Sequence, residues 1–332
     1  RHGALDDDYV QTSLNRLADC AAKAWTSRTP ATLRVGVANC DVACSRRRPN
    51  AAGGVDWAPA LDEPTDHELT AIAIESPAGA MRGVLFNYAC HPTSNAVTQI
   101  GGDYVGFAVE AIERQYPGAV ACFFQGCAGD QKVNAPKPGG DGFRQLSIDE
   151  VKQVGQRVAH ATVAAIEQAS AKLAGPIAMT QQRIQLETEP ATEAGIAKAK
   201  AGLPHQVRWA DYFEDIVTTG KPQPIHVPFE IQTITFGRSF AFVGFSAEMV
   251  AEYALRLKPL LREQFQQCIV AGYCNHIIGY VSSARQYPRG GYEVRDSSFW
   301  YLRTGPYLQS TEDQLVNATM TTQQTTVNGA DA

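Results

Sequence analysis

The sequence predicts a single large α/β domain, with a mixed central β-sheet flanked by helices. Three observations carry that expectation. Strand-length apolar runs alternate with amphipathic stretches along most of the 332 residues, a length that can bury a large core. Two of those runs, Gly83–Ala89 and Ala119–Phe124, enclose a stretch whose helical face includes Val105, Ala108, Val109 and Ile112, which makes a β-loop-α-β unit. Two others, Phe229–Phe236 and Ser239–Phe245, are divided only by Gly237-Arg238 and read as a hairpin.

The remaining elements follow in order. Tyr9–Trp25 spaces Tyr9, Leu14, Leu17, Ala18, Ala21, Ala22 and Trp25 as one helical face, with acids before it and Lys23 near its end, as the helix dipole favours. Thr32–Asn39 alternates like a strand and leads into a basic loop, Cys44–Arg48, which Pro49 keeps from becoming a helix. Residues 51–67 are rich in Gly, Pro and Asp and read as a surface loop. Glu68–Glu75 alternates again, and Pro77-Ala-Gly79 turns it back into the Gly83 run. Asp103 reads as a helix cap, and Ser147 as the cap of a long amphipathic helix, Val151–Ala171. Ile177–Leu186 is a further strand. Residues 188–224 break the rhythm: one short Ala/Lys-rich helix and a Trp209/Tyr212/Phe213 cluster make an insertion, either a wall or lid of a cleft or an ordinary surface excursion. A helix over Glu248–Gln266, a strand at Gln267–Ala271 and a short helix at Glu312–Thr319 complete the domain, 1–319. The Thr/Gln/Asn tail, 320–332, has no packing signal and is expected to be disordered.

Composition excludes several function classes. A net charge of −5 and a pI near 5.8 leave no electrostatic footprint for nucleic acid. No apolar run reaches the ~18 residues a membrane-spanning helix needs. The eight cysteines are scattered through core-like segments without a CxxC pair, so neither a disulfide framework nor a structural zinc site is expected. The chain begins with Arg1 rather than Met and is read as a processed or truncated product. The oligomeric state and the compartment stay open.

Chemistry is expected past the ends of the strands, where such units carry it. His91-Pro-Thr-Ser94 follows one strand and Gln125-Gly-Cys-Ala-Gly-Asp130 the next. Pro92 holds His91 extended at its strand end. Gly126 and Gly129 read as a tight turn aiming N–H groups into the cleft, where an oxyanion could use them. Cys127 is either an inert buried thiol or a nucleophile with His91 as base. GFSAE, at 244–248, lacks the second Gly of a serine-hydrolase elbow, so Glu248 reads as a helix-dipole acid or a site carboxylate. Of Arg46–Arg48, two are expected on a solvated face and one turned inward to a substrate carbonyl or hydroxyl.

Taken together, FNYACHPTSN, GGDYVGFA, FFQGCAGDQKVN, SRRR at 45–48, GFSAE and GYCNHIIGYVSSARQYPRGGYE at 272–293 resemble, in order, the motifs of the neutral/alkaline, non-lysosomal ceramidase family. The resemblance covers nearly the whole chain. It implies zinc ligation by His91, Glu248 and Tyr280. It also places Tyr292, Arg48 and Asp130 at the catalytic centre, with Tyr292 donating to the oxyanion and Arg48 orienting the substrate. The implied activity is hydrolysis of an amide, in a small-molecule or lipid-like substrate, by metal-activated water; the implied compartment is extracytoplasmic.

The sequence departs from the family at three places. The family's first zinc histidine lies in a Thr-His-Thr-His-Ser-Gly-Pro motif before the first helix, and the chain is expected to start beyond it; His2 lacks the motif. Lys132 stands where the family has its active-site Ser, and either anchors an anionic substrate group or faces solvent. Nothing after Thr319 resembles the family's immunoglobulin-like domain. These departures keep a rival open, a non-catalytic lipid- or sugar-binding relative with an incomplete metal site.

Overall fold

The computed structural model describes residues 6–330, with side-chain surroundings as far as Thr321. Its first half runs α1 (Asp7–Thr26), β1 (Thr32–Asn39), β2 (Ala43–Pro49), β3 (Val55–Ala60), β4 (Glu68–Glu75), β5 (Met81–Tyr88), α2 (Asp103–Gln115), β6 (Val120–Gln125), β7 (Gln131–Val133) and α3 (Ile148–Glu167). The second half runs β8 (Ala171–Lys172), β9 (Ile177–Glu187), α4 (Glu193–Lys200), α5 (Pro204–Thr218), β10 (His226–Phe236), β11 (Phe240–Phe245), β12 (Glu248–Met249), α6 (Ala251–Arg262), β13 (Gln267–Ala271), β14 (Tyr280–Val281) and α7 (Thr311–Ala330).

The fold is mixed α/β, and its strands divide between two principal sheets. One has the order β6-β5-β4-β1-β8, the other β13-β11-β10-β9. The period-2 alternation of side chains builds three apolar layers from them. Leu69, Ala71, Ala73, Val84 and Phe86 face α2 and α3. Phe229, Ile231, Ala241, Val243 and Phe245 face α6 and α7. The intervening residues, Val35 and Ile72 from the first sheet and Phe240 and Ile269 from the second, meet in a layer between the sheets.

Each sheet contains one parallel crossover. β5 and β6 are parallel through α2, and β11 and β13 are parallel through α6. The Gly126–Ala271 bridge and the bond from Gly272 N–H to the Gln125 carbonyl (3.2 Å) tie the carboxyl ends of β6 and β13 together. Both crossovers therefore deliver their loops to one place.

The predicted hairpins and caps form as the residues dictate. Gly79 and Gly237 turn the β4–β5 and β10–β11 hairpins with φ of +82° and +48°. Ser147 and Glu150 close a capping box on α3. Asp103 differs from expectation: Gly102 is the cap, and Asp103 is the first helical residue at φ +49°. Its carboxylate instead accepts from the backbone of Ser94 (2.8 Å) and Asn95 (3.3 Å), pinning the loop that follows His91.

Four other expectations are corrected. Cys44–Arg48 is strand rather than loop, and it pairs with β3, inside the supposed surface loop 51–67, and with β7. Glu248 lies in the two-residue strand β12, in register with Tyr280; the helix starts only at Ala251. Residues 188–224 hold two helices, whose Ile196, Trp209 and Phe213 form a small core against Phe299 and Leu302. The final helix continues to Ala330, through most of the tail expected to be disordered. α1 forms, capped by the Asp6 side chain accepting from Tyr9 N–H (2.9 Å), yet none of its residues is buried. No described helix is long and apolar enough to cross a membrane.

Candidate active site

The converging loops bring His91, Glu248 and Tyr280 together. His91 follows β5 and donates through Nδ1 to the Gln131 carbonyl (3.1 Å). A carbonyl can only accept, so Nδ1 carries a proton. Its Nε2 lies 3.3 Å from Glu248 Oε2 and 3.5 Å from the Tyr280 hydroxyl. All three side chains are nine-tenths buried or close to it.

Two tyrosines that sequence reasoning missed complete the cluster. The Tyr273 hydroxyl is 2.7 Å from His91 Nε2 and donates to Glu248 Oε2 (2.8 Å). Tyr301 donates to Glu248 Oε1 (2.7 Å). Tyr273 sits in the left-handed region, φ +59°, a strained conformation that is stored where its hydroxyl is needed. Burial alone would raise the Glu248 carboxyl, but His91, Tyr280, Tyr301 and Tyr273 outweigh it and bring it down to about 2. Burial pushes the Tyr273 and Tyr280 phenols far up, and the Glu248 charge pushes the same way.

Beside Tyr280 lies an aromatic wall. Tyr292 packs edge-on to Tyr280 (5.2 Å) and to Trp57 (6.2 Å). Burial raises the Tyr292 phenol, so it stays a hydrogen-bond donor. The guanidinium over these rings belongs to Arg46, at 5.5 Å from Tyr280, 5.8 Å from Tyr292 and 4.4 Å from Trp57. Arg48 turns elsewhere, donating to the Gly140 carbonyl (2.5 Å).

The expectation that two of these arginines are solvated is therefore wrong. Arg46 and Arg47 are both buried and both grip Glu293, Arg46 at 2.7 Å. A register shift between Ser45 and Arg47 re-aims the strand, which lets neighbouring side chains reach one carboxylate. Arg46 Nη2 has no hydrogen-bond partner among the described residues.

Asp130 supports the site from below. It is fully buried, and accepts from Ala251 N–H (2.9 Å) and from the side chains of Gln286 (2.7 Å) and Gln131 (2.9 Å). Its carbonyl accepts from Arg46 N–H (2.9 Å). Burial raises its carboxyl above the usual range against those bonds. It ties the β6–β7 loop to the start of α6 and to β2.

The same loop is not an oxyanion cradle. Gly126 N–H donates to the Tyr88 carbonyl (2.9 Å) and Gly129 N–H to that of Met249 (2.7 Å), so neither is left for a ligand. Gly129 is required by closeness: a Cβ there would lie 2.7 Å from the Glu248 carbonyl oxygen. Cys127 is fully buried, bonded only to the Val270 carbonyl (3.9 Å), and its thiol is pushed far up by burial; the thiol-hydrolase reading ends there. Lys132 does not face solvent. It is 8% exposed, its ammonium against the carbonyl and hydroxyl of Thr93, and its backbone bridges His91. His2 lies outside the described residues.

A cavity of about 960 Å³ runs from His91, Glu248 and Tyr273 between the two sheets, lined by Leu33, Ile72, Leu85, Phe124, Phe236 and Phe242 among others. Its size is that of a small-molecule or lipid-chain pocket.

The donor set fits a metal in part. Ligands at ~2.0–2.1 Å in a tetrahedral arrangement lie about 3.3 Å apart, which is the spacing of His91 Nε2 and Glu248 Oε2. Among the described residues, however, no three His, Cys, Asp or Glu side chains form a metal-holding group, so the third donor has to be a phenol.

No protein-family profile and no curated protein matches the sequence. Solved structures do. A neutral ceramidase from Pseudomonas aeruginosa aligns with TM-score 0.64 and 17% identity, over 91% of this chain and 53% of that one. A ceramidase complexed with C2 aligns with TM-score 0.60 and 18% identity, over 87% and 52%. The chain thus spans about half the length of the ceramidases it matches. Identities this low speak for architecture alone, and the architecture is that of a neutral ceramidase-like fold.

Proposed function

We propose that the chain is a zinc-dependent hydrolase that cleaves the N-acyl bond of a lipid-like amide. The observation that carries this is the meeting of His91 Nε2, Glu248 Oε2 and the Tyr280 hydroxyl at the head of an apolar cavity. The two solved ceramidases of like fold supply the substrate class by analogy.

His91, Glu248 and Tyr280 would hold the ion. Zinc bound there would supply a water of pKa about 7 and a Lewis acid for the carbonyl. The chain supplies the rest. The apolar cavity takes the acyl half. Tyr292, protonated at neutral pH, donates to the developing oxyanion. Arg46, with one unpaired N–H₂ beside Tyr280 and Tyr292, replaces Arg48 as the cation that orients the carbonyl. Asp130 positions Arg46 and the Glu248 segment and touches no substrate.

One observation favours a second reading, a non-catalytic lipid-binding relative. Tyr273 and Tyr301 each donate to one oxygen of Glu248, so the carboxylate has hydrogen-bond partners without an ion. Zinc stoichiometry with hydrolysis of N-acyl amides, with and without chelator, separates the two. The hydrolase reading expects one bound zinc, activity lost on chelation, and metal affinity lowered at least ~100-fold by Glu248→Gln. Protein that binds an acyl chain but neither retains zinc nor cleaves any amide would be the binding relative.

A further inference from the structure

We infer that Lys132 makes the site selective for amides whose amine half carries an oxyanion, as in an N-acyl amino acid. This deepens the amide-hydrolase reading and rests on it. Burying an ammonium is costly unless a carboxylate compensates it, and Lys132 has none. Among the described residues its ammonium is held only by the Thr93 carbonyl and hydroxyl (3.0 Å to the latter), above the Phe143 ring at 5.9 Å. The acid in its neighbourhood, Asp103, is engaged by the N–H groups of Ser94, Asn95 and Tyr104.

Arg46 and Arg47 share the single carboxylate of Glu293, and Arg46 keeps an unpaired, buried Nη2. The buried cations Arg46, Arg47 and Lys132 stand among three buried carboxylates, Glu293, Glu248 and Asp130, and among the described residues Lys132 is the one of the three cations with no carboxylate in ion-pair contact. Trp57, Phe143 and Tyr292 form an aromatic wall beside these charges, with Trp57 about half exposed to solvent. The wall stands beside the reacting centre through Tyr280, which also lines the apolar cavity with Tyr273 and Phe124. An amide with its acyl chain in the cavity would have its amine half against this wall, within reach of Lys132. A neutral headgroup would leave that charge unanswered; a carboxylate or phosphate would accept a charge-assisted hydrogen bond from it.

The test compares zinc-loaded protein on N-lauroylglycine, N-lauroylethanolamine and N-lauroylethanolamine phosphate, in wild type, Lys132→Met and Lys132→Arg, each checked for folding by its thermal melt. Wild type is expected to prefer an anionic substrate in kcat/KM by about tenfold or more. Lys132→Met should erase that preference, mainly through KM, and Lys132→Arg should restore most of it. The glycine and phosphate arms tell a carboxylate from a phosphate. Equal use of neutral and anionic amides, or a preference untouched by Lys132→Met, would overturn the inference. If no amide is cleaved, the hydrolase reading fails by itself. Calorimetric binding of N-lauroylglycine against N-lauroylethanolamine then decides the charge recognition separately, tighter binding of the anion by wild type alone upholding it and equal binding refuting it.

Discussion

Replacing Gly129 with alanine tests whether the β6–β7 loop sets the position of Glu248. The new Cβ would lie 2.7 Å from the Glu248 carbonyl oxygen, 2.9 Å from that of Met249 and 3.0 Å from the Met249 carbonyl carbon. All three are backbone atoms, so no side chain can swing away. The Gly129 N–H also donates to the Met249 carbonyl at 2.7 Å, which locks the two segments together. Relief requires β12 to retreat by several tenths of an ångström, and overpacking of this kind costs about 1–3 kcal/mol. In a domain of this size that is a Tm lowered by roughly 1–4 °C. The retreat moves Glu248 relative to His91, so zinc affinity should fall about 10- to 100-fold, as for other displaced ligand supports. The control is Gly106→Ala, on α2, where a Cβ meets nothing within 4 Å and the helix should gain about 0.5–1 kcal/mol. Thermal melts and zinc titrations of both variants are the assays. Gly129→Ala protein that melts and binds zinc like wild type would show that the loop does not fix the carboxylate.

Three other outcomes are expected. Glu293→Ala leaves the buried Arg46 and Arg47 without a carboxylate and should cost about 3–5 kcal/mol in urea unfolding, against near-neutral loss if the pair is solvated. Burial raises the Glu68 carboxyl, but Lys258 and Arg262 outweigh it and hold it below its ordinary value. Its contribution is thus present above the unfolded pKa of about 4.3 and lost as pH falls through the folded value, so the stability gap between wild type and Glu68→Gln should close in acid; a gap constant from pH 7 to 3 would contradict this. Iodoacetamide on the native protein should label the exposed Cys20 and Cys122 and leave Cys127 unmodified, read by peptide mass; labelled Cys127 would mean that its pocket opens.

Much of the fold was legible where local pattern and burial agree. Thr32–Asn39, Glu68–Glu75 and Gln267–Ala271 are strands with the predicted bounds, because alternation or a short apolar run is bracketed by turn residues on both sides. Cys44–Arg48 was not legible. Three arginines look solvated until Glu293, 247 positions beyond Arg46, arrives to neutralise two of them, and nothing local announces that. Glu248 was read into a helix because the periodicity of α6 runs back into it, whereas its strand conformation is imposed by pairing with Tyr280. His91 and Tyr280 came from strand ends and family motifs, and the structure brings both to Glu248. Tyr273 had the same positional signal, the end of β13, and went unread. Tyr301 had none, since it reaches Glu248 only through the packing of an irregular loop.

The two parallel crossovers give the site a mechanical property. His91 belongs to one sheet and Glu248 and Tyr273 to the other, with the Gln125–Asp130 loop bonded across them, so the distance between imidazole and carboxylate is a gauge of how the two layers sit on each other. That seating is decided by Ile72, Val35, Phe240 and Ile269, none of which is a donor in the cluster. Slippage there would open the cluster as a hinge opens a clasp. An ion or acyl chain spanning the gap would conversely stitch the layers, so that ligand occupancy would be read out as resistance of the whole chain to unfolding.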